Sequence, residues 1–263
     1  MSTTTASSAS TGTSGTTGST GGETSTATTA GPPADRTRGN SRAAGIFYIL
    51  TFAASIPALL LLDPVLSDPG YILGAGQDNQ VLFACLLDVV TALTGIGSAV
   101  AVFPVVKRVN ESLALGFVMS RMVEAAVILI GVVALLTVVV LRQDLAGAAS
   151  ADAASLTTTG QALVTARDWT FLLGPGFMAC LNALLFGTLL YRSRLVPRII
   201  PTIGLVGAPV LLVANLLTFF GQTTQTGSLT MLATLPIAAW ELSVGFYMAL
   251  KGFRPAAVAE LAA

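Results

Sequence analysis

The sequence contains no histidine, and its two cysteines, Cys85 and Cys180, both lie inside apolar runs. Without imidazole there is no bis-histidine haem, no histidine-ligated zinc or di-iron site, and no Ser-His or Cys-His nucleophile pair. Intramembrane proteases built on a Ser-His dyad or a Glu/His metal site are excluded with them. The two cysteines read as small buried hydrophobes, not as a disulfide or a metal pair. No acidic metal motif of the DDxxD kind is present, and no Ser or Cys stands beside an evident base. No residue set therefore points to catalysis, a cofactor or a metal. Charge is scarce as well: 10% of residues are charged, against about a quarter in a soluble domain. The 13 basic and 13 acidic residues cancel, leaving no global field to attract nucleic acid.

What the chain has is apolar sequence. Apolar residues make up 53% of it, and mean hydropathy is +0.79. Residues 1–40 stand apart, being mostly Ser, Thr, Gly and Ala. They carry too little apolar surface to offset the entropy of ordering them, so they are expected to form a disordered tail. Almost no charge precedes Arg36, and the stretch is too long to be the n-region of a signal peptide. Six apolar runs follow, at about 43–62, 81–106, 114–141, 169–191, 199–220 and 230–250. Each approaches the roughly 20 residues that span a bilayer core of about 30 Å as a helix. The runs are continuous rather than alternating, which excludes the dyad pattern of a membrane barrel. The expected architecture is all-α: a polytopic six-helix transmembrane bundle over 41–254, with a short C-terminal tail at 255–263.

Loop charges set the expected orientation. Arg36, Arg38, Arg42, Lys107, Arg108, Arg192, Arg194, Arg198, Lys251 and Arg254 fall on one side, ten of the thirteen basic residues. The other side receives Arg142 and Arg167 together with Asp63, Asp68, Asp78, Asp144, Asp152 and Asp168. The positive-inside rule then places both termini in the cytoplasm, in an inner (plasma) membrane, with the lipid bilayer as the surrounding partner. The 142–168 segment is the longest loop between spans. Its Ala/Ser/Thr-rich half is expected to be flexible, and a short interfacial helix is expected from Gln161 to Trp169.

Polar groups inside the runs are the informative exceptions. Asp88 lies in the second run, Arg121 and Glu124 in the third, Asn182 in the fourth, Asn215 in the fifth and Glu241 in the sixth. Ionisable side chains at membrane depth cost several kcal/mol facing lipid, so these six should face the bundle interior or water. Arg121 and Glu124 are spaced i, i+3 on one helix face. One planar guanidinium can bridge two carboxylates. On this count a single buried cation faces three acids, so at least one acid is in surplus. That acid, Glu241 or Asp88, is expected to be protonated at neutral pH, to reach water, or to hold a cation. Gly95 with Ala99, and Gly204 with Ala208, have the small-xxx-small spacing of close helix contacts. Gly174-Pro175-Gly176 is expected to break the fourth span locally; it lacks the Lys and Ser/Thr of a nucleotide loop.

Several of these residues form recognisable strings: Arg121-Met122-Val123-Glu124-Ala125-Ala126, Tyr191-Arg192-Ser193-Arg194-Leu195-Val196-Pro197-Arg198, and Glu241 leading into Lys251-Gly252-Phe253. With Arg42-Ala43-Ala44-Gly45 before the first run, they resemble the bacterial membrane family called domain of unknown function 4386, over roughly 40–254. The resemblance implies a six-helix bacterial membrane protein in which Arg121, Glu124 and Glu241 matter to the fold or its site. It carries no established activity. The long tail departs from that family's usual short N-terminus.

Two functions of different kinds follow. One is a small carrier or sensor whose polar, acid-rich centre takes a small polar or cationic ligand or a proton. The other is a non-catalytic membrane scaffold or accessory subunit whose buried charges only orient helices. A membrane enzyme acting on lipid or isoprenoid has nothing in the sequence to point to it. Convergence of the four charged residues on one water-accessible pocket favours the first, and dispersal onto separate helix contacts the second.

Overall fold

The computed structural model describes residues 33–74, 77–144 and 153–261, with side chains from Arg36 onward. The described residues contain helices and turns and no strand. The long helices are α1 (Pro33–Leu61), α3 (Asp78–Val106), α4 (Glu111–Asp144), α5 (Ala153–Phe171), α6 (Ala179–Ser193), α7 (Ile199–Phe219) and α8 (Ser228–Leu250). Two short ones, α2 (Asp63–Ser67) and α9 (Pro255–Glu260), follow α1 and α8. A π-helical turn, Leu172–Met178, joins α5 to α6, so that Ala153–Ser193 is one continuous helix. Six helices in all are long and apolar enough to cross a membrane.

These spans close a ring in chain order. α1 packs on α3, α3 on α4, α4 on α6, α6 on α7, α7 on α8, and α8 returns to α1. Glycine makes the closing contact. A Cβ on Gly45 would lie 2.2 Å from the Ala249 nitrogen, and one on Gly245 would lie 2.9 Å from Tyr48 Cβ. Only hydrogen at both positions lets α1 and α8 approach this closely. Gly204 does the same for α7, where a Cβ would meet the Trp240 ring at 2.5 Å; at Gly95 a Cβ would meet nothing within 4 Å. The core is built on Tyr48, Phe117, Phe186, Trp240 and Leu190, all buried. Outward-facing Leu60, Ile130, Val133, Ile199, Val213 and Leu232 are exposed, a surface suited to hydrocarbon and not to water.

Three sequence expectations change. Helix α1 begins at Pro33, so residues 33–40 are helical and not part of a disordered tail; Pro33 stands in the first turn, where a missing N–H costs nothing. The rest of that tail lies outside the described residues. Helix α5 begins at Ala153, well before Gln161, so the 153–160 part of the Ala/Ser/Thr-rich half expected to be flexible is helical, and residues 145–152 lie outside the described residues. Gly174-Pro175-Gly176 does not interrupt the helix; the wider π turn absorbs the lost proline hydrogen bond.

At the end carrying the ten basic residues, two of the sequence strings meet. Arg194 takes a left-handed conformation (φ 55°) that stops α6, and Gly252 (φ 76°) stops α8. Leu195 and Val196 are fully buried beside Phe253 and Ala257. The Arg254 N–H donates to the Leu195 carbonyl at 2.9 Å. The C-terminal stretch expected as a tail is therefore anchored by α9, with Ala257 inserted in the core. All ten basic side chains are exposed there.

Candidate functional site

Arg121 sits on the inner face of α4 with 4% of its side chain exposed. Its guanidinium is used at both tips. Nη1 donates to Glu124 Oε2 at 2.9 Å, and Nη2 donates to Glu241 Oε1 at 2.8 Å. Nη2 also reaches the Tyr48 hydroxyl at 3.2 Å. Asn182, fully buried on α6, donates from Nδ2 to Glu124 Oε2 at 2.8 Å. The Tyr48 and Phe117 rings lie 5.2 and 5.9 Å from the guanidinium carbon, distances that allow cation–π attraction. Phe117 stacks on Phe186 at 4.7 Å. Four helices, α1, α4, α6 and α8, thus converge on one polar cluster, α1 and α8 through Arg121 and α6 through Glu124.

Charge-assisted hydrogen bonds of this length are the strong kind. In a water-poor centre they also have to be, because an unpaired ion there costs several kcal/mol. The pairing is nonetheless unequal: one cation stands between two carboxylates. Glu124 Oε2 accepts two donors, from Arg121 and Asn182. Glu241 accepts one, and its side chain is the more exposed of the two, 14% against 11%. Beside the cluster a cavity of about 10 Å³ opens between α1, α3 and α4.

The six residues singled out from sequence separate into three places. Arg121, Glu124, Glu241 and Asn182 come together. Asp88 does not join them; it lies within electrostatic reach of Arg167 on α5. Arg167 is buried, 5% exposed, with its guanidinium 4.6 Å from the Phe171 ring. The count of one buried cation is therefore corrected to two, because α5 brings in an arginine that the sequence places in a loop. Asn215 stands elsewhere again, donating to Cys180 Sγ at 3.9 Å against the π turn. Tyr48 was missed, and its sequence signal was slight: one of three hydroxyls, with Thr51 and Ser55, in an otherwise apolar first span.

A second polar knot ties the opposite end of the bundle. Arg142 pairs with Asp78 through two nitrogens and donates to the Gly74 carbonyl. Gln143 Nε2 and the Tyr71 hydroxyl donate to the same Asp78 carboxylate, each at 3.0 Å. Burial, and then the hydrogen bond given to Asp78, push the Tyr71 phenol up to about 12. This knot holds α3 to α4 and to the α2–α3 connection.

Comparison with known proteins agrees with the sequence strings. The family model described as "Domain of unknown function (DUF4386)" matches residues 43–252. No curated protein matches, and no solved structure does.

Proposed function

The chain belongs to the DUF4386 family, and from that premise we propose that it is a bacterial inner-membrane protein whose bundle centre binds a proton, as a small proton-coupled carrier or proton sensor. The observation that carries this reading is the single guanidinium of Arg121 shared between Glu124 and Glu241. Two carboxylates and one cation leave a surplus negative charge in a poorly hydrated site, and a proton is the smallest species that cancels it. Glu241 is the proton holder: Glu124 is stabilised as an anion by two donors, Glu241 by one. A cavity of about 10 Å³ admits a water-sized species and no organic solute. In this reading both termini are cytoplasmic, since the ten exposed basic residues share one end, and lipid surrounds the bundle.

The test is infrared spectroscopy of the protein in nanodiscs at neutral pH. A protonated-carboxyl band is expected in the wild type and absent from Glu241→Gln. In dye-loaded liposomes a pH step should then drive proton uptake that the same substitution abolishes. No protonated carboxyl at neutral pH would sink the reading.

A scaffold reading has one observation in its favour: Arg121, Glu124, Asn182, Tyr48 and Glu241 interlock four helices. It predicts that replacing Arg121 and Glu124 together by Gln leaves folding and phenotype intact. The proton reading predicts that folding survives in part and proton uptake does not.

A further inference from the structure

The cavity beside the cluster presents polar groups that the charge pairing leaves unused. Thr51 of α1, Thr91 and Gly95 of α3, and Arg121 and Glu124 of α4 line it. Two of the lining residues carry a polar atom that is buried without a protein partner, Thr91 Oγ1 and Arg121 Nε. Both are donors. A third lining residue carries an acceptor: the hydrogen bonds from Arg121 and Asn182 to Glu124 both arrive at Oε2, not Oε1. Gly95 keeps the space open, since the nearest atom to a Cβ there is more than 4 Å away. A volume of about 10 Å³ is the least that houses one water, which then needs two to four polar partners.

We propose that this recess is a built binding site for a single water molecule, and that this water relays protons to the carboxylate pair. The water oxygen accepts from Arg121 Nε–H and from the Thr91 hydroxyl, and one of its hydrogens is given to Glu124. An anion is disfavoured by the Glu124 carboxylate in the wall, and a metal cation by the guanidinium edge. The relay step balances along the hydrogen bonds: an arriving proton bonds to Thr91 Oγ1 while the Thr91 hydroxyl hydrogen passes to the water oxygen and one water hydrogen passes to Glu124, so that a neutral hydroxyl and a neutral water remain and the proton enters the carboxylate pair at Glu124 before it rests on Glu241. The binding site stands on the geometry alone, whereas the relay rests on the proton reading above.

Thr91→Val tests the site, because it removes the hydroxyl and keeps the shape. If the hydroxyl is bridged by water, the variant melts about 2–4 °C lower and Thr91→Ser recovers most of the loss. If the hydroxyl is orphaned, removing it leaves the melting temperature unchanged or higher, which overturns the proposal. A high-resolution structure of the full chain in nanodiscs gives a second measurement. Density within hydrogen-bond distance of both Thr91 Oγ1 and Arg121 Nε supports the site, and a dry recess overturns it. For the relay, proton uptake after a pH step should slow about tenfold in Thr91→Val with its amplitude unchanged; an unchanged rate overturns the relay. Amplitude surviving in Glu241→Gln would sink the proton reading and leave the melting test of the water site in force.

Discussion

Arg121 can serve two carboxylates because its two terminal nitrogens point different ways, one toward Glu124 and one toward Glu241. A lysine offers a point charge with no such fork. Arg121→Gln leaves two buried carboxylates facing each other and should cost about 3–5 kcal/mol, read as a collapse of melting temperature in detergent. Arg121→Lys should lose less, and adding Glu124→Gln and Glu241→Gln to Arg121→Gln should restore most of the stability. At the other end, Tyr71 makes a pH prediction. Its phenol is held protonated in the folded state, up to about 12 against an ordinary value near 10. The stability it contributes is therefore complete below pH 10 and disappears as pH rises from 10 through 12. Tyr71→Phe should flatten that part of the alkaline melting curve. The Arg121–Glu124 pair was legible in sequence from its i, i+3 spacing inside an apolar run, without a sign of whether Asp88 or Glu241 would join it. Arg167 was not. It sits among Ala, Ser and Thr that read as loop, although Gly160, Leu163, Val164 and Arg167 keep the i, i+3, i+4, i+7 spacing of a buried helix face.

At the scale of elements, the apolar runs located all six spans, but hydrophobicity marks the part of a helix in contact with hydrocarbon and not where the helix ends. That is why α1 and α5 extend beyond their runs into polar sequence, to Pro33 and Ala153. The small-xxx-small pattern located one close contact, at Gly204, and overlooked the closer one at Gly45 and Gly245, because glycine is abundant and spacing alone does not say which face has a neighbour. Gly45→Ala should force α1 from α8 and cost several degrees of melting temperature, since its Cβ would meet backbone and not a movable side chain. Gly116→Ala is the control: its Cβ would make ordinary contact with Leu185 at 3.6 Å, and a gain in helix propensity should leave it as stable as the wild type or more so.

The described spans form a ring in which the start of α1 and the end of α8 share the basic face, where Ser41 donates to the Met248 carbonyl. The proposed orientation can be read by labelling single cysteines introduced with Cys85 and Cys180 replaced by Ala. A membrane-impermeant maleimide added to intact cells should modify Gln222→Cys and reach Asn110→Cys only after permeabilisation; the reverse pattern would place the termini outside. The chain-order closure of the ring also fixes when its charge imbalance arises. During synthesis α4 enters the bilayer with Arg121 and Glu124 one turn apart, a self-neutralising pair that lowers the cost of burial. Asn182 comes next with α6, and Glu241 comes with the last span. A nascent chain stopped before α8 therefore holds a centre whose charges balance. On the proton reading proposed above, the demand for a proton is created by the final helix, in the same event that closes the wall around it.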